Sequence, residues 1–236
     1  SVIILTGDHG ESLYEDIHGQ GHGEHLRGDA ITRVPLFIKL TPDWKNKATI
    51  NCELKENCNK FNGVTSSIDI VPTILSLYSI EKFKELPGRT LFPIPASSKW
   101  EDDRKVYAET GIWFSDIGDH FFQKQRIMYP NILKMHRIVP DENYQIMITD
   151  LYYRNTIAFA KHRALISDRY KFIYIPTHDG VVYEFYDRIN DPNNTKNLHP
   201  SYESNRYLNE LIELSKRWEN SKVISEYIIP EKIIEE

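Results

Sequence analysis

The chain has 236 residues, 40% of them hydrophobic and 27% charged, and carries a net charge of −5 with its nine His counted neutral. That composition belongs to a folded globular protein and excludes an intrinsically disordered one. No long basic run points to nucleic acid or an anionic membrane surface, and no apolar stretch is long enough to span a bilayer.

Val2-Ile3-Ile4-Leu5 reads as a strand apolar on both faces, as in a parallel α/β sheet. Ser1 to Leu5 has no charged n-region followed by a cleavage site, so it does not read as a signal peptide. A strand that runs from the first residues straight into a functional-looking turn suggests a chain cut from something longer. A Gly/His-rich loop follows, and Val34 to Leu40 reads as a second core strand with Pro35 at its entry. Residues 42–63 are polar and turn-rich. Within them Cys52 and Cys58 have a spacing that fits either a small loop disulfide or two ordinary thiols, and not a metal knuckle.

Ser66 or Ser67 can cap a helix through Leu77, with Pro72 in its first turns and apolar residues at 68, 71, 74, 75 and 78. Leu86-Pro87-Gly88-Arg89 is a turn and Val106 to Glu109 a short strand. Residues 114–155 give no firm pattern. Ala158 to Ser167, Lys171 to Pro176 and Val181 to Asp187 then read as an antiparallel meander, turning at Asp168-Arg169 and at His178-Asp179-Gly180. Tyr207 to about Tyr227 reads as an amphipathic closing helix. The order predicts an α/β sandwich portion followed by a small antiparallel-sheet-plus-helix α+β subdomain, with domains at 1–155 and 156–236.

The chemistry concentrates in residues 6–28. Asp8-His9 lies at the carboxyl end of the first strand, where open α/β sheets place ligands. Gly7 and Gly10 flank it and let the backbone turn close to a ligand. An ionised carboxylate beside a neutral imidazole is a mixed oxygen and nitrogen donor set for a divalent cation. His18, His22 and His25 follow among Gly19, Gly21, Gly23 and Gly28, so four of the nine His fall within the first 25 residues. A solvated Gly/His turn would have the same composition, so position and density alone weigh only modestly for function. His120, His136, His162, His178 and His199 are scattered and read as ordinary surface or core histidines. Trp44, Trp100, Trp113 and Trp218 read as packing, and Asp69 as a helix cap. Asn193-Asn194-Thr195 is formally a glycosylation acceptor, relevant only to a secreted eukaryotic protein.

Thr6-Gly7-Asp8-His9-Gly10-Glu11 resembles the sulfatase-family segment Thr-Ser-Asp-His/Asn-Gly-Glu, within the alkaline-phosphatase superfamily. Gly21-His22-Gly23 is similar to the family's Gly-Lys/His-Gly, and Arg33-Val34-Pro35-Leu36 to its Arg-Val-Pro-Leu. Ser67 to Leu75 resembles the Val-Asp-Leu-x-Pro-Thr-Leu-Leu helix, and Leu86 to Leu91 resembles Leu-x-Gly-x-Ser-Leu. His162 to Ile166 with Tyr170 to Ile173, and Glu184 to Asp187 with Asn190-Asp191-Pro192 and Asn197-Leu198, follow in family order.

The resemblance implies an alkaline-phosphatase-like α/β sandwich, carboxy-terminal half only, in a metal-dependent sulfuric ester hydrolase. It implies Asp8 and His9 as metal ligands and His22 as the catalytic and ester-binding group, with His25 also binding substrate and His18 a third candidate. The cofactor it implies is one divalent cation, Ca2+ first, and after it Mn2+, Mg2+ or Zn2+. The substrate it implies is a small sulfate or phosphate ester such as a sulfated carbohydrate, and the resemblance alone points to a periplasmic, extracellular or lysosomal setting. The family nucleophile is a Cys or Ser in Cys/Ser-x-Pro-x-Arg, or an unmodified Ser or Thr. Neither Cys52-Glu53-Leu54-Lys55 nor Cys58-Asn59-Lys60-Phe61 fits that motif. The amino-terminal half of the same protein is therefore the expected partner, and the chain alone is expected to be inactive. Asp8 to Leu13 with His22-Gly23 is also similar to phosphoethanolamine transferases. A phosphate or phosphonate ester hydrolase of the same superfamily and a non-catalytic sulfatase-like binding module are compatible with the same motifs.

Overall fold

A computed structural model describes residues 1–13, 20–23, 25–42, 61–93, 99–100, 102–112, 127–148 and 151–231. His18, Gly19, Trp44, Cys52, Cys58, Trp113 and His120 lie outside the described residues. The strands are β1 (Val2–Thr6), β2 (Ser12–Leu13), β3 (Gln20–Gly21), β4 (Leu36–Leu40), β5 (Val106–Glu109), β6 (His136–Val139), β7 (Gln145–Ile148), β8 (Arg163–Ile166), β9 (Tyr170–Thr177), β10 (Gly180–Asp187), β11 (Lys222–Ile224) and β12 (Tyr227–Ile229). The helices are α1 (Ile70–Leu77), α2 (Ile132–Met135), α3 (Arg154–Ala160) and α4 (Tyr202–Glu219). The fold is mixed α/β, as expected from the order of elements. Among the described residues no helix is long and apolar enough to cross a membrane.

The chain divides into two compact units. The first comprises Ser1–Gly10, Arg33–Val106 and Ile166–Asp168. Its β1 pairs with β4 in antiparallel register, Ile4 opposite Ile38 and Leu5 opposite Phe37. The expected strand, buried on both faces of a parallel sheet, is therefore corrected. An antiparallel ribbon puts alternate residues on opposite faces, and Ile3, Leu5 and Phe37 lie on the solvent side, 57%, 63% and 63% exposed. Val2, Ile38 and Leu40 instead pack with Leu77 and Phe92.

Helix α1 turns in an unexpected direction. Its apolar stripe of Ile68, Val71, Ile74 and Tyr78 is exposed, while Pro72, Thr73 and Leu77 are buried. Thr73 sets that orientation, because its hydroxyl donates to the Asp69 carbonyl at 2.6 Å and accepts from Leu91 N at 3.0 Å. Asp69 is fully buried at the helix start. Its carboxylate accepts from Ser66 N at 2.8 Å, Arg89 N at 3.0 Å and the Arg104 guanidinium at 2.7 Å. Its expected role as a cap and packing residue holds. Trp100 lies under both guanidinium groups, 4.8 Å from Arg89 and 5.4 Å from Arg104.

The second unit comprises Glu11–Thr32, Tyr107–Leu165 and Arg169–Glu236. Its sheet has the order β10-β9-β8-β5. Ala158 to Ala160, expected in a strand, close α3 instead. A short apolar run such as Ile157 to Ala160 fits either element, and periodicity alone does not separate them. The meander otherwise follows the sequence, with Gly180 at φ +128° supplying its tight turn. The closing helix starts earlier and ends sooner than its periodicity implies. Ser201 and Ser204 cap α4 reciprocally, and Asn220 stops it in the left-handed conformation. Val223, Ile224 and Tyr227, which extend the helical spacing, belong to the β11–β12 hairpin.

Register divides β9 and β10 into two chemically different faces. Phe172 lies opposite Phe185 and Tyr174 opposite Tyr183; Lys171 lies opposite Tyr186 and Ile173 opposite Glu184. Directly opposed residues share a face. The aromatic face joins Tyr207 and Leu211 of α4 and Ile228 of β12 in the main core. There Tyr174 accepts from Ile228 N at 2.9 Å, and burial pushes its phenol up to about 12. The other face carries Lys171, Glu184 and Tyr186, all buried.

Candidate functional site

In the first unit β1 ends at Thr6 and the chain turns through Gly7. A Cβ on Gly7 would stand 3.2 Å from the His9 carbonyl and 3.5 Å from the Val34 side chain, so the turn is packed close against the Arg33-Val34-Pro35-Leu36 segment. Asp8 and His9 form one local unit. His9 N donates to Asp8 Oδ1 at 3.0 Å, and His9 Nδ1 lies 2.9 Å from the Gly10 carbonyl. That second bond places the proton on Nδ1 and the lone pair on Nε2, the nitrogen that could hold a cation. His9 Nε2 and Asp8 Oδ2 are 3.7 Å apart, and both side chains face solvent. Two donors that each reach a cation over about 2.0–2.6 Å can share one ion at that spacing. The residues fit a divalent cation. A nitrogen donor favours a borderline metal over Mg2+, which prefers oxygen.

In the second unit, Gly21 pairs with Ser12 across the β2–β3 ladder. Gly21 has φ +104° and Gly23 φ +84°, so the backbone on both sides of His22 is one that side chains disfavour. His22 Nδ1 lies 2.6 Å from Glu11 Oε2, with both side chains half exposed. The Gly23 carbonyl accepts from Gly111 N at 3.1 Å, beyond the end of β5. Sequence reasoning does not single out Glu11 as a partner of His22. Its place inside the Asp-His-Gly-Glu segment is the available signal, but a separation of eleven positions hides the pairing.

His25 differs from His22, because it and Leu26 are buried. Arg27 meets Glu184 in a two-pronged contact, with Nε at 3.1 and 2.8 Å from the two carboxylate oxygens. Gly28, at φ +68°, donates its N–H to Asn194 Oδ1 at 3.0 Å. Lys171 Nζ donates to the Gly28 carbonyl and lies 3.1 Å from Asp29. Arg188 holds the same Asp29 carboxylate at 3.1 and 2.8 Å. Burial pushes the Asp29 carboxyl up, and the Arg188 and Lys171 cations outweigh it, leaving it below the ordinary carboxylate range.

A group held below its ordinary value stabilises the fold above the unfolded pKa, about 4, and loses that contribution as pH falls through the lower folded value. The contact should therefore persist through pH 4 and release at more acid pH. A titration of the Gly28 amide resonance checks this. In Asp29→Asn the acid-dependent movement should vanish; an unchanged titration would contradict the assignment.

The sulfatase family model matches residues 1–80, which contain the Asp8-His9 turn, the His22 loop and β4. None of the curated proteins matches the chain. Among solved structures, a phosphonate monoester hydrolase of Agrobacterium radiobacter is 17% identical, with a TM-score of 0.51 over 97% of this chain and 38% of its own. A 2-O GAG sulfatase is 18% identical, with a TM-score of 0.51 over 93% and 36%. A protein solved with its substrate D-glucosamine-2-N,6-O-disulfate is 19% identical, with a TM-score of 0.50 over 93% and 34%. The chain thus spans about a third of the length of the structures it resembles. Residues 1–80 match the sulfatase family model, and the chain has the fold of these sulfatase and phosphonate monoester hydrolase structures.

Proposed function

We propose that this chain contributes part of the active site of a metal-dependent sulfuric ester hydrolase, with Asp8 and His9 as cation ligands and His22 as the ester-contacting group. The observation that carries the reading is the Asp8-His9 turn itself: exposed oxygen and nitrogen donors, 3.7 Å apart, at a strand's carboxyl end inside the segment that matches the family. The cation, when bound, polarises the ester oxygens. His22 is the better placed of the two histidines, because it is half exposed where His25 is buried. Glu11 orients its ring through Nδ1, which leaves Nε2 to hydrogen-bond an ester oxygen or deliver a proton to the leaving group. A sulfated sugar is the favoured substrate class, because one structural relative was solved with such a substrate. A phosphonate monoester is the second, because a hydrolase of that class has comparable similarity.

Nucleophilic attack on sulfur needs a residue that this sequence does not present in a recognisable motif. The 236-residue chain alone should therefore release no nitrophenol from 4-nitrophenyl sulfate or phosphate at any divalent-metal concentration. Metal-dependent turnover by the purified chain would show that the nucleophile lies within it. In an active protein containing these residues, His22→Ala should lower kcat by about 100- to 10,000-fold, the range for loss of a general acid. Full activity in that variant would sink the assignment of His22.

A further inference from the structure

We infer that the C-terminal meander is the positioning platform of the His22 loop, and that Lys171, Glu184 and Asn194 are positioning residues that hold His25–Asp29 in one conformation. The inference rests on the reading of His22 as the ester-contacting group. Its starting point is the two-faced β9–β10 pair. One face is the aromatic core under α4. The other presents Lys171 and Glu184, and both are buried, Lys171 at 0% exposure.

What meets these groups is the loop. Glu184 takes Arg27, Lys171 takes the Gly28 carbonyl and Asp29, and Asn194 takes Gly28 N. The partners are 142 to 166 residues distant in sequence. Hydrophobic residues of similar volume would stabilise such a contact at least as well, since removing an ammonium and a carboxylate from water is costly even when they pair. Buried ion pairs and directed hydrogen bonds give something apolar packing lacks, a single register. Here each backbone polar group of Gly28 has its own buried side-chain partner. A shift of the loop by one residue would strand Lys171, Glu184 and Asn194 together.

The same loop is fixed ahead of His22 by the Ser12–Gly21 pairing and just behind it by the Gly111–Gly23 hydrogen bond. His22 is thus flanked by backbone anchors on both sides, and the buried polar face of the meander secures the segment that follows. Supporting contacts of this kind hold a functional group within the tolerance that catalysis needs.

Lys171→Met tests this, because it keeps the length of the side chain and removes the donor. Asp29→Asn is the milder second variant, read in the same way if Lys171→Met does not fold. The readouts are amide hydrogen exchange and the His22 ring resonances in the intact chain. We expect exchange at Arg27, Gly28 and Asp29 to rise at least tenfold and the His22 signals to shift or split, while the amides of β9 and β10 keep their protection. Equal loss across the whole sheet, or no change at the loop, would overturn the inference and leave these contacts as fold stability alone. Neither readout involves an ester. Titration of the unsubstituted chain with inorganic sulfate tests the His22 reading separately, and failure there leaves the positioning result standing.

Discussion

In Asp8→Ala, Mn2+ should no longer broaden the backbone resonances of residues 6–11, whereas in the unsubstituted chain substoichiometric Mn2+ should erase them first. Asp8 supplies the anionic donor of the turn, and a neutral imidazole by itself is a weak single ligand. Paramagnetic broadening detects the millimolar affinity that two donors can give. Asp8→Asn should be intermediate, because it keeps an oxygen donor and loses the charge. The Asp8 side chain is 90% exposed, so these variants should fold as the parent does. If Mn2+ broadened other residues first, or broadened 6–11 equally in Asp8→Ala, the cation site would have to be sought elsewhere.

The second large effect lies away from the chemistry. Asp69→Ala should destabilise the first unit by about 3–5 kcal/mol, the usual consequence of leaving a buried charge without its partner. Three donors converge on this carboxylate, and the Arg104 side chain that it pairs with is itself almost fully buried. The substitution also removes the acceptor for Ser66 N at the 3-10 turn that leads into α1. Asp69→Asn keeps one oxygen, on the side of Arg89 N and Arg104, and turns an NH2 toward Ser66 N; it should cost roughly half as much, since hydrogen bonds to charged groups are worth about 1.5–3 kcal/mol. Exchange of the α1 amides measures the loss within this unit, without assuming that the whole chain unfolds in one step. A loss below about 1 kcal/mol would mean that Arg104 finds another partner.

Much of the candidate site is legible in the sequence because it is local. A strand, a Gly-flanked Asp-His turn and His22 between two glycines are each written in consecutive residues. The Glu11–His22 pairing and the anchoring of His25–Asp29 are not legible, since their partners are set by topology. Lys171 and Glu184 illustrate why. In Tyr170-Lys171-Phe172-Ile173 and Tyr183-Glu184-Phe185-Tyr186 the charged residues occupy the polar phase of an alternating strand, which normally faces water. Only the return of a loop from the opposite end of the chain buries them. The direction of β1 is obscure for the reverse reason: an apolar run carries no phase, so nothing in Val2 to Leu5 marks which side stays exposed. At the end of α4, the stop at Asn220 is readable, but Val223 and Ile224 continue the helical spacing and mask it.

The outward face of the β1–β4 ribbon has a consequence for the behaviour of the isolated chain in solution. Ile3, Leu5 and Phe37 present a row of large apolar side chains on a two-stranded sheet, and the exposed stripe of α1 adds Val71 and Ile74 to the apolar surface of the same unit. Contiguous apolar surface of this kind favours association between copies. The isolated chain should therefore be prone to association through that surface, seen as concentration-dependent light scattering.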